Sequence, residues 1–366
     1  MSKQVKYTIG IVLFCEFLIC LGMSLIFPVM PFIRNEYHFS AFDMGMMSSL
    51  FALVQFVASP IIGRISDRTG RKPMLVWGLI VFGLAEFVFA ATSKLWLFDL
   101  SRAVDGLSAA FSGGLMLVPG LGGLLANISY KMPFWVAGVL GIISAIVAFF
   151  ALPADEQEER QSHTERADEE LAGSSWDAVK KMMTPALVVL FVMILVSAFG
   201  LAGFESIYSL YVNQVHHFDL TTIAAVLTVN GVLSLLLQVF LFDHLVIWFG
   251  EVQIIRWSFF ISVIGTLIVI YDHSHWQLFV ATLVVYEGFD MLRPVITTLL
   301  TKMSESNQGL LNGINMSLTS IGNIVGPLLS GALLDMNYQA PYLVVAFFML
   351  VSFFITFGVS HEMKTA

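Results

Sequence analysis

Several ionisable side chains stand where an apolar chain holds few of them. Glu205 falls inside the apolar run 186–211. A carboxylate turned toward lipid there costs roughly 2.5–3.5 kcal/mol or more, so it must face a cavity or carry a proton, and either makes it a candidate proton carrier. Asp290 and Arg293 lie three apart in the run 276–299. On a helix that spacing puts both on one face, where the guanidinium can hold the carboxylate ionised or release it; a static ion pair has the same spacing. Arg102 and Asp105 repeat the arrangement, and an aspartate so close favours a local ion pair. Glu16, Gln55 and Glu86 are further polar residues within apolar runs. Gln55 could donate to a ligand and Glu16 could meet a cationic substrate. Glu86, late in its run, is expected at the outer interface, or in an interhelical hydrogen bond like the other two.

Other chemistry is not indicated. Cys15 and Cys20 are five apart and would turn away from each other on a helix, so neither a disulfide nor a metal site is expected. There is no phosphate-cradling loop, nucleophile elbow or His/Cys cluster. An enzyme, an ATP-driven pump and a bound cofactor are therefore not expected.

The elements that must position these residues are membrane spans. Hydrophobic residues make up 57% of the 366 positions and charged residues 12%, with a mean hydropathy of +0.84. Soluble chains run at about 25% charged, so this chain cannot cover a water-soluble surface. A net charge of −8 also argues against nucleic-acid binding, which needs a basic face. Apolar runs suited to crossing about 30 Å of hydrocarbon occur near 7–33, 44–66, 74–93, 132–152, 186–211, 222–242, 255–271, 276–299, 309–334 and 341–359. None alternates as a barrel strand would, and the first is too long for a cleavable leader. The one long polar segment, 153–181, is acidic and solvated. It separates an N-terminal helical bundle, 1–152, from a C-terminal six-helix bundle, 182–366.

Orientation follows from Lys and Arg, which collect on cytoplasmic loops. Lys3, Lys6, Arg64, Arg68, Arg71, Lys72, Lys180, Lys181, Arg256, Lys302 and Lys364 fall on alternate connections, while those near 213–221, 272–275 and 335–340 hold none. The N-terminus is expected in the cytoplasm.

The segment GRISDRTGRKP, 63–73, is the most specific local signal. Gly63 permits close helix approach, Asp67 ends a span, Gly70 makes the turn, and Arg68, Arg71 and Lys72 anchor the loop. Asp67 can pair with these cations or meet the positive end of another helix, a latch for two moving halves. This segment resembles the signature loop between the second and third helices of the major facilitator superfamily. LGMSLIFPVMPF (21–32), AFGLAGFESIYSLYV (198–212), EGFDMLRPVIT (287–297) and GNIVGPLLSGALLD (322–335) resemble that family's multidrug–proton antiporters. The resemblance implies an all-α integral membrane transporter of two helical bundles, without enzyme activity, exporting amphipathic cationic or zwitterionic drugs, such as fluoroquinolones and dyes, against protons. It implies proton coupling at Glu205 and Asp290, and at Arg102, which matches the arginine of the fourth helix; Asp105 departs from the family there. Substrate contacts are expected from Glu205, Asp290, Arg293, Gln55 and Glu16. The expected setting is a bacterial cell membrane, with the protein a monomer in the lipid bilayer.

One stretch does not fit. Residues 95–127 would make a helix of about 48 Å at about 1.5 Å per residue, too long for one span and too short for two. In the family resemblance Arg102 belongs to the fourth helix and SGGLMLVPGLGG (112–123) to the fifth, the antiporter motif with Pro119, Gly122 and Gly123; Val118 stands where its second glycine would be. The intervening loop is missing, by roughly thirty residues of family length, at about 111–113. A single crossing here would put the acidic linker outside. Two half-length helices would keep parity, giving about 11 spans or 10 spans and a short hairpin. The expectation is a shortened antiporter with impaired transport. The alternatives are a non-transporting remnant and a nutrient transporter of the same fold.

Overall fold

The computed structural model describes residues 27–112, 129–152, 184–271, 274–303 and 308–365, with the side chains of 27, 67, 68, 71, 112, 303, 308–310 and 359–365 left out. These residues are helical almost throughout. After a 3-10 turn at Phe27–Val29 come α1 (Met30–Tyr37), α2 (Ala41–Thr69), α3 (Arg71–Ala91), α4 (Leu95–Ser112) and α5 (Met132–Ala151). Then follow α6 (Pro185–His216), α7 (Leu220–Phe249), α8 (Glu251–Tyr271), α9 (His275–Met303), α10 (Gln308–Met336) and α11 (Ala340–Thr365). A π turn interrupts α7 at Leu237–Leu241, so the span expected at 222–242 runs one helix further. Among the described residues eight helices are long and apolar enough to cross a membrane. The ionisable residues on α4 and α9 lower the hydropathy of those two below the others.

The chain forms two compact units. Unit 1 comprises residues up to Phe39 with Met46–Ala172 and Asp219–Leu227, and unit 2 comprises Ser40–Gly45, Gly173–Phe218 and Thr228–Ala366. The expected partition at the acidic linker ran by sequence position alone; here two short segments group with the unit that the chain around them does not belong to.

In unit 1, α3 packs against both α4 and α5. Ser101 donates to the Ala85 carbonyl (2.8 Å), and Gly78 faces Phe111 and the Ser108 carbonyl, so α3 and α4 are antiparallel. Gly83 faces Gly138 and Ile142. The Lys72 ammonium donates to the Leu152 carbonyl, and that of Lys131 to the Thr92 carbonyl (2.6 Å). So α5 also runs antiparallel to α3 and begins at the end where α4 begins. The close of α4 and the start of α5 therefore lie at opposite ends of the unit. Leu152, at the close of α5, lies at the end of the unit that holds Lys72; whether 95–127 crosses once or twice falls on residues outside the described ones. A layered aromatic cluster, Phe89 on Phe134 (4.1 Å) with Phe98 edge-on to Phe89 (4.6 Å), fills the end opposite Lys72.

In unit 2, α6 lies along α10, and α8 packs on α9 and α11. A Cβ at Gly322 would stand 2.6 Å from the Phe199 nitrogen, and one at Gly326 would stand 2.7 Å from the Phe199 oxygen. Backbone thus meets backbone, as small residues permit between membrane helices. This close approach fixes α6, and Glu205 on it, against α10. Gly326→Val is expected to cost about 1–3 kcal/mol from overpacking, read as a lower yield and melting temperature of detergent-solubilised protein. The first turn of α2 belongs to the same unit. Ser40 and Asp43 cap it reciprocally (2.8 and 3.0 Å), the capping-box arrangement. Asp335, at the end of α10, accepts from the Ala41 and Phe42 amides, both at 2.8 Å. A carboxylate on the positive end of a helix is favourable; Asp67 was expected to do this, and its side chain lies outside the described residues.

Candidate functional site

Unit 2 holds a cluster of acids on α6 and α9. Glu205 is half-buried on α6, directly after the buried Phe204. Asp290 and Glu287, both half-buried, share one face of α9. Glu205 and Glu287 each lie within electrostatic range of Asp290. The Asp290 carboxylate accepts from the Ser234 hydroxyl on α7 (2.8 Å), and the Gln238 amide in turn donates to Ser234 (3.1 Å). Both Glu287 carboxylate oxygens are buried and have no hydrogen-bond partner. A carboxylate left so is costly unless it binds a proton or a cation.

The expected pairing of Arg293 with Asp290 is not formed. Arg293 is exposed and makes no ion pair or hydrogen bond among the described residues. Ser234, from another helix, takes the aspartate. Spacing placed the two residues on one face; packing chose the partner.

The aromatic residues beside the acids are core. Phe204 contacts Tyr286 (5.3 Å), Phe289 (5.9 Å) and Tyr342 (5.1 Å), and all four are buried to within 3%. They hold α6, α9 and α11 together and thereby set the positions of Glu205, Glu287 and Asp290.

Unit 1 carries a second ionic cluster. Arg102 is 8% exposed, and Glu86 and Asp105 are wholly buried. The Arg102 guanidinium meets Glu86 at 2.8 Å and Asp105 at 2.5 Å, and its carbon lies 4.6 Å from the centre of the Phe89 ring. The local pair with Asp105 is formed as its spacing suggested. Of its two expected placements Glu86 takes the interhelical hydrogen bond: α3 and α4 pack so that it faces Arg102, the cation that a buried acid needs.

The remaining expected residues are scattered. Gln55 is half-buried in α2, where its backbone carbonyl accepts from the Ser59 hydroxyl (2.6 Å). Gly70 makes the expected turn with φ 96°, a conformation glycine adopts without strain. Lys72 lies over Phe149 (5.8 Å). Among the described residues, nothing stands within 4 Å of a Cβ built at Gly63. The side chains of Asp67, Arg68 and Arg71 lie outside the described residues, as do Glu16, Pro119, Gly122 and Gly123. Sequence reasoning passed over Glu287, although it satisfies the same criterion as Glu205, an acid within an apolar run. Nothing in the sequence pointed to Ser234.

Helices of membrane-spanning length with isolated acids on α6 and α9 define a multi-pass membrane transporter. The chain belongs to the Major Facilitator Superfamily, whose family model matches residues 12–112, 99–250 and 190–364. It is 33% identical over 371 positions to multidrug resistance protein 1 of Bacillus subtilis, covering 93% of each chain. It is 31% identical over 370 positions to the quinolone resistance protein NorA of Staphylococcus aureus, covering 93% of this chain and 92% of that one. An alignment of 371 positions that takes in 93% of 366 residues leaves about thirty positions with no residue of this chain. The fold is that of the human organic anion transporter MFSD10 (TM-score 0.68, 18% identity, 97% and 100% of the two chains). It is likewise that of the nucleoside transporter NupG (TM-score 0.75, 13% identity, 95% and 98%).

Proposed function

We propose that this chain is a proton-coupled multidrug exporter, exchanging protons for amphipathic cationic or zwitterionic drugs such as dyes and fluoroquinolones. The observation that carries the reading is the group of Glu205, Glu287 and Asp290, like charges within electrostatic range and with no ion-paired cation among the described residues. Either a proton or a drug cation relieves their repulsion. The two compete for the same carboxylates, and competition at one site produces exchange. A membrane potential contributes about 2.3 kcal/mol per charge per 100 mV, and alternating access exposes the acids to each side in turn. The relatives' names, multidrug resistance and quinolone resistance, support the drug class. The N-terminus lies in the cytoplasm of a bacterial cell, by the distribution of Lys and Arg, and the monomer is the working unit.

A second reading has its own support. Two overlapping family matches, 12–112 and 99–250, meet at α4, and about thirty aligned positions of the Bacillus subtilis relative have no residue of this chain. This favours a protein that inserts but does not transport. Ethidium loading of expressing cells, with and without a protonophore, decides between them. Protonophore-sensitive lowering of dye accumulation is expected for the exporter; accumulation equal to that of control cells removes the export reading.

A further inference from the structure

We propose that Glu86 and Asp105 form a proton-binding site in unit 1, in which Asp105 carries a structural proton and donates it to the Glu86 carboxylate. The site is separate from the acids of α6 and α9 and stands whether or not the chain exports drugs.

The geometry asks for a proton. Glu86 and Asp105 are both 0% exposed, and their carboxyl groups lie within hydrogen-bonding reach of each other. Two ionised carboxylates offer acceptors only, so a hydrogen bond between them needs one to be the acid. The arginine does not remove that need. A single guanidinium nitrogen, Nη2, serves both partners. It donates to Glu86 Oε1 (2.8 Å) and lies 2.5 Å from Asp105 Oδ2 without a hydrogen bond to it. Among the described residues neither Asp105 oxygen accepts a hydrogen bond, and Glu86 Oε2 accepts none either. A proton on Asp105 directed at Glu86 serves both groups at once. It leaves one carboxylate against one guanidinium, a neutral cluster, where a second charge would be costly inside a membrane.

The other ionisable groups on the elements packed here are few. Helix α5 carries none from Met132 to Ala151, and Lys131 before it donates to the Thr92 carbonyl. Helix α2, which meets α4 where Gly106 faces the Phe51 backbone, carries none at 44–63. Lys72, at the far end of α3, donates to the Leu152 carbonyl. Asp99 is half-buried on α4, three residues before Arg102, and Tyr37 of α1 lies on Phe98 (5.4 Å).

In the unfolded chain both acids are ionised at neutral pH. Folding then takes up a proton, and the folding equilibrium should fall by up to about tenfold for each unit of rising pH. Asp105→Asn keeps the shape and the donor and cannot lose the proton.

The test is infrared spectroscopy and thermal melting of the purified full chain in detergent. At pH 8 the unaltered protein should show the C=O stretch of a buried carboxylic acid, and Asp105→Asn should lose intensity there. Asp105→Asn should melt with the unaltered protein at pH 6 and at least about 2 °C above it at pH 9. An acid band that is undiminished in Asp105→Asn overturns the site. So does a variant that melts well below the unaltered protein at both pH values, as loss of an ionised partner of Arg102 would make it. A second preparation leaves the cluster intact: in Asp290→Asn protein with isotopically labelled aspartate carboxyls, the acid band should still shift with the label, and an unshifted band overturns the proposal equally.

Discussion

Glu205→Gln and Asp290→Asn are each expected to abolish protonophore-sensitive dye efflux, a loss of at least a hundredfold in rate, or about 2.7 kcal/mol at about 1.36 kcal/mol per tenfold. Each substitution keeps the size of the side chain and its capacity for hydrogen bonds, so the packing of α6 and α9 should survive. What disappears is a group that can gain and lose a proton. Without it the repulsion among Glu205, Glu287 and Asp290 is partly relieved in every state, and neither a proton nor a drug cation is drawn to the cluster by the charge that remains. Efflux is measured at matched expression. Unchanged efflux in either variant removes that acid from the exchange, and the role would then fall to Glu287, whose oxygens are buried without partners.

Loss of Arg102 should have the largest effect on stability. The guanidinium stands between two wholly buried carboxylates at 2.8 and 2.5 Å. Arg102→Ala leaves both facing each other without a cation. Breaking a buried ion pair costs about 3–5 kcal/mol because the remaining charge is uncompensated, and two acids share the penalty here. Little folded protein should survive extraction into detergent. The triple substitution Arg102→Met, Glu86→Gln and Asp105→Asn should recover much of it, since neutral replacement of a buried cluster is often tolerated. Size-exclusion profiles and melting temperatures are the readouts. A single variant that melts like the unaltered protein would show that this cluster does not hold α3 to α4.

Glu86 also shows how far the sequence carries. Its place late in an apolar run suggested the outer interface, and along the helix that was a fair inference. Burial depends instead on which helix lies alongside, and α4 puts Arg102 there. The same applies to Arg293: its spacing from Asp290 is a property of one helix, whereas Ser234, 56 residues away, is brought to Asp290 by the packing of α7. Glu205 and Asp290 needed no such knowledge, because an acid within an apolar run is unusual on composition alone. Glu287 met that criterion too and was hidden by its more prominent neighbours. The turn at Gly70 was legible because only glycine adopts its backbone conformation without strain. A close approach at Gly63 depends on a neighbouring helix, which no single helix specifies.

The amino-acid sequence by itself determined that this is a helical membrane protein, with acids within its apolar runs and a family signature in the loop after its second run. Hydropathy and backbone conformation are local quantities, summed residue by residue, and they survive without knowledge of the fold. Only the tertiary structure decided that α4 and α5 enter from the same end of unit 1, that Glu86 and Asp105 share one arginine, and that Ser234 takes Asp290 in place of Arg293. Those outcomes depend on pairs of side chains far apart in the chain, and a buried charge takes whichever partner the packing brings within about 3 Å.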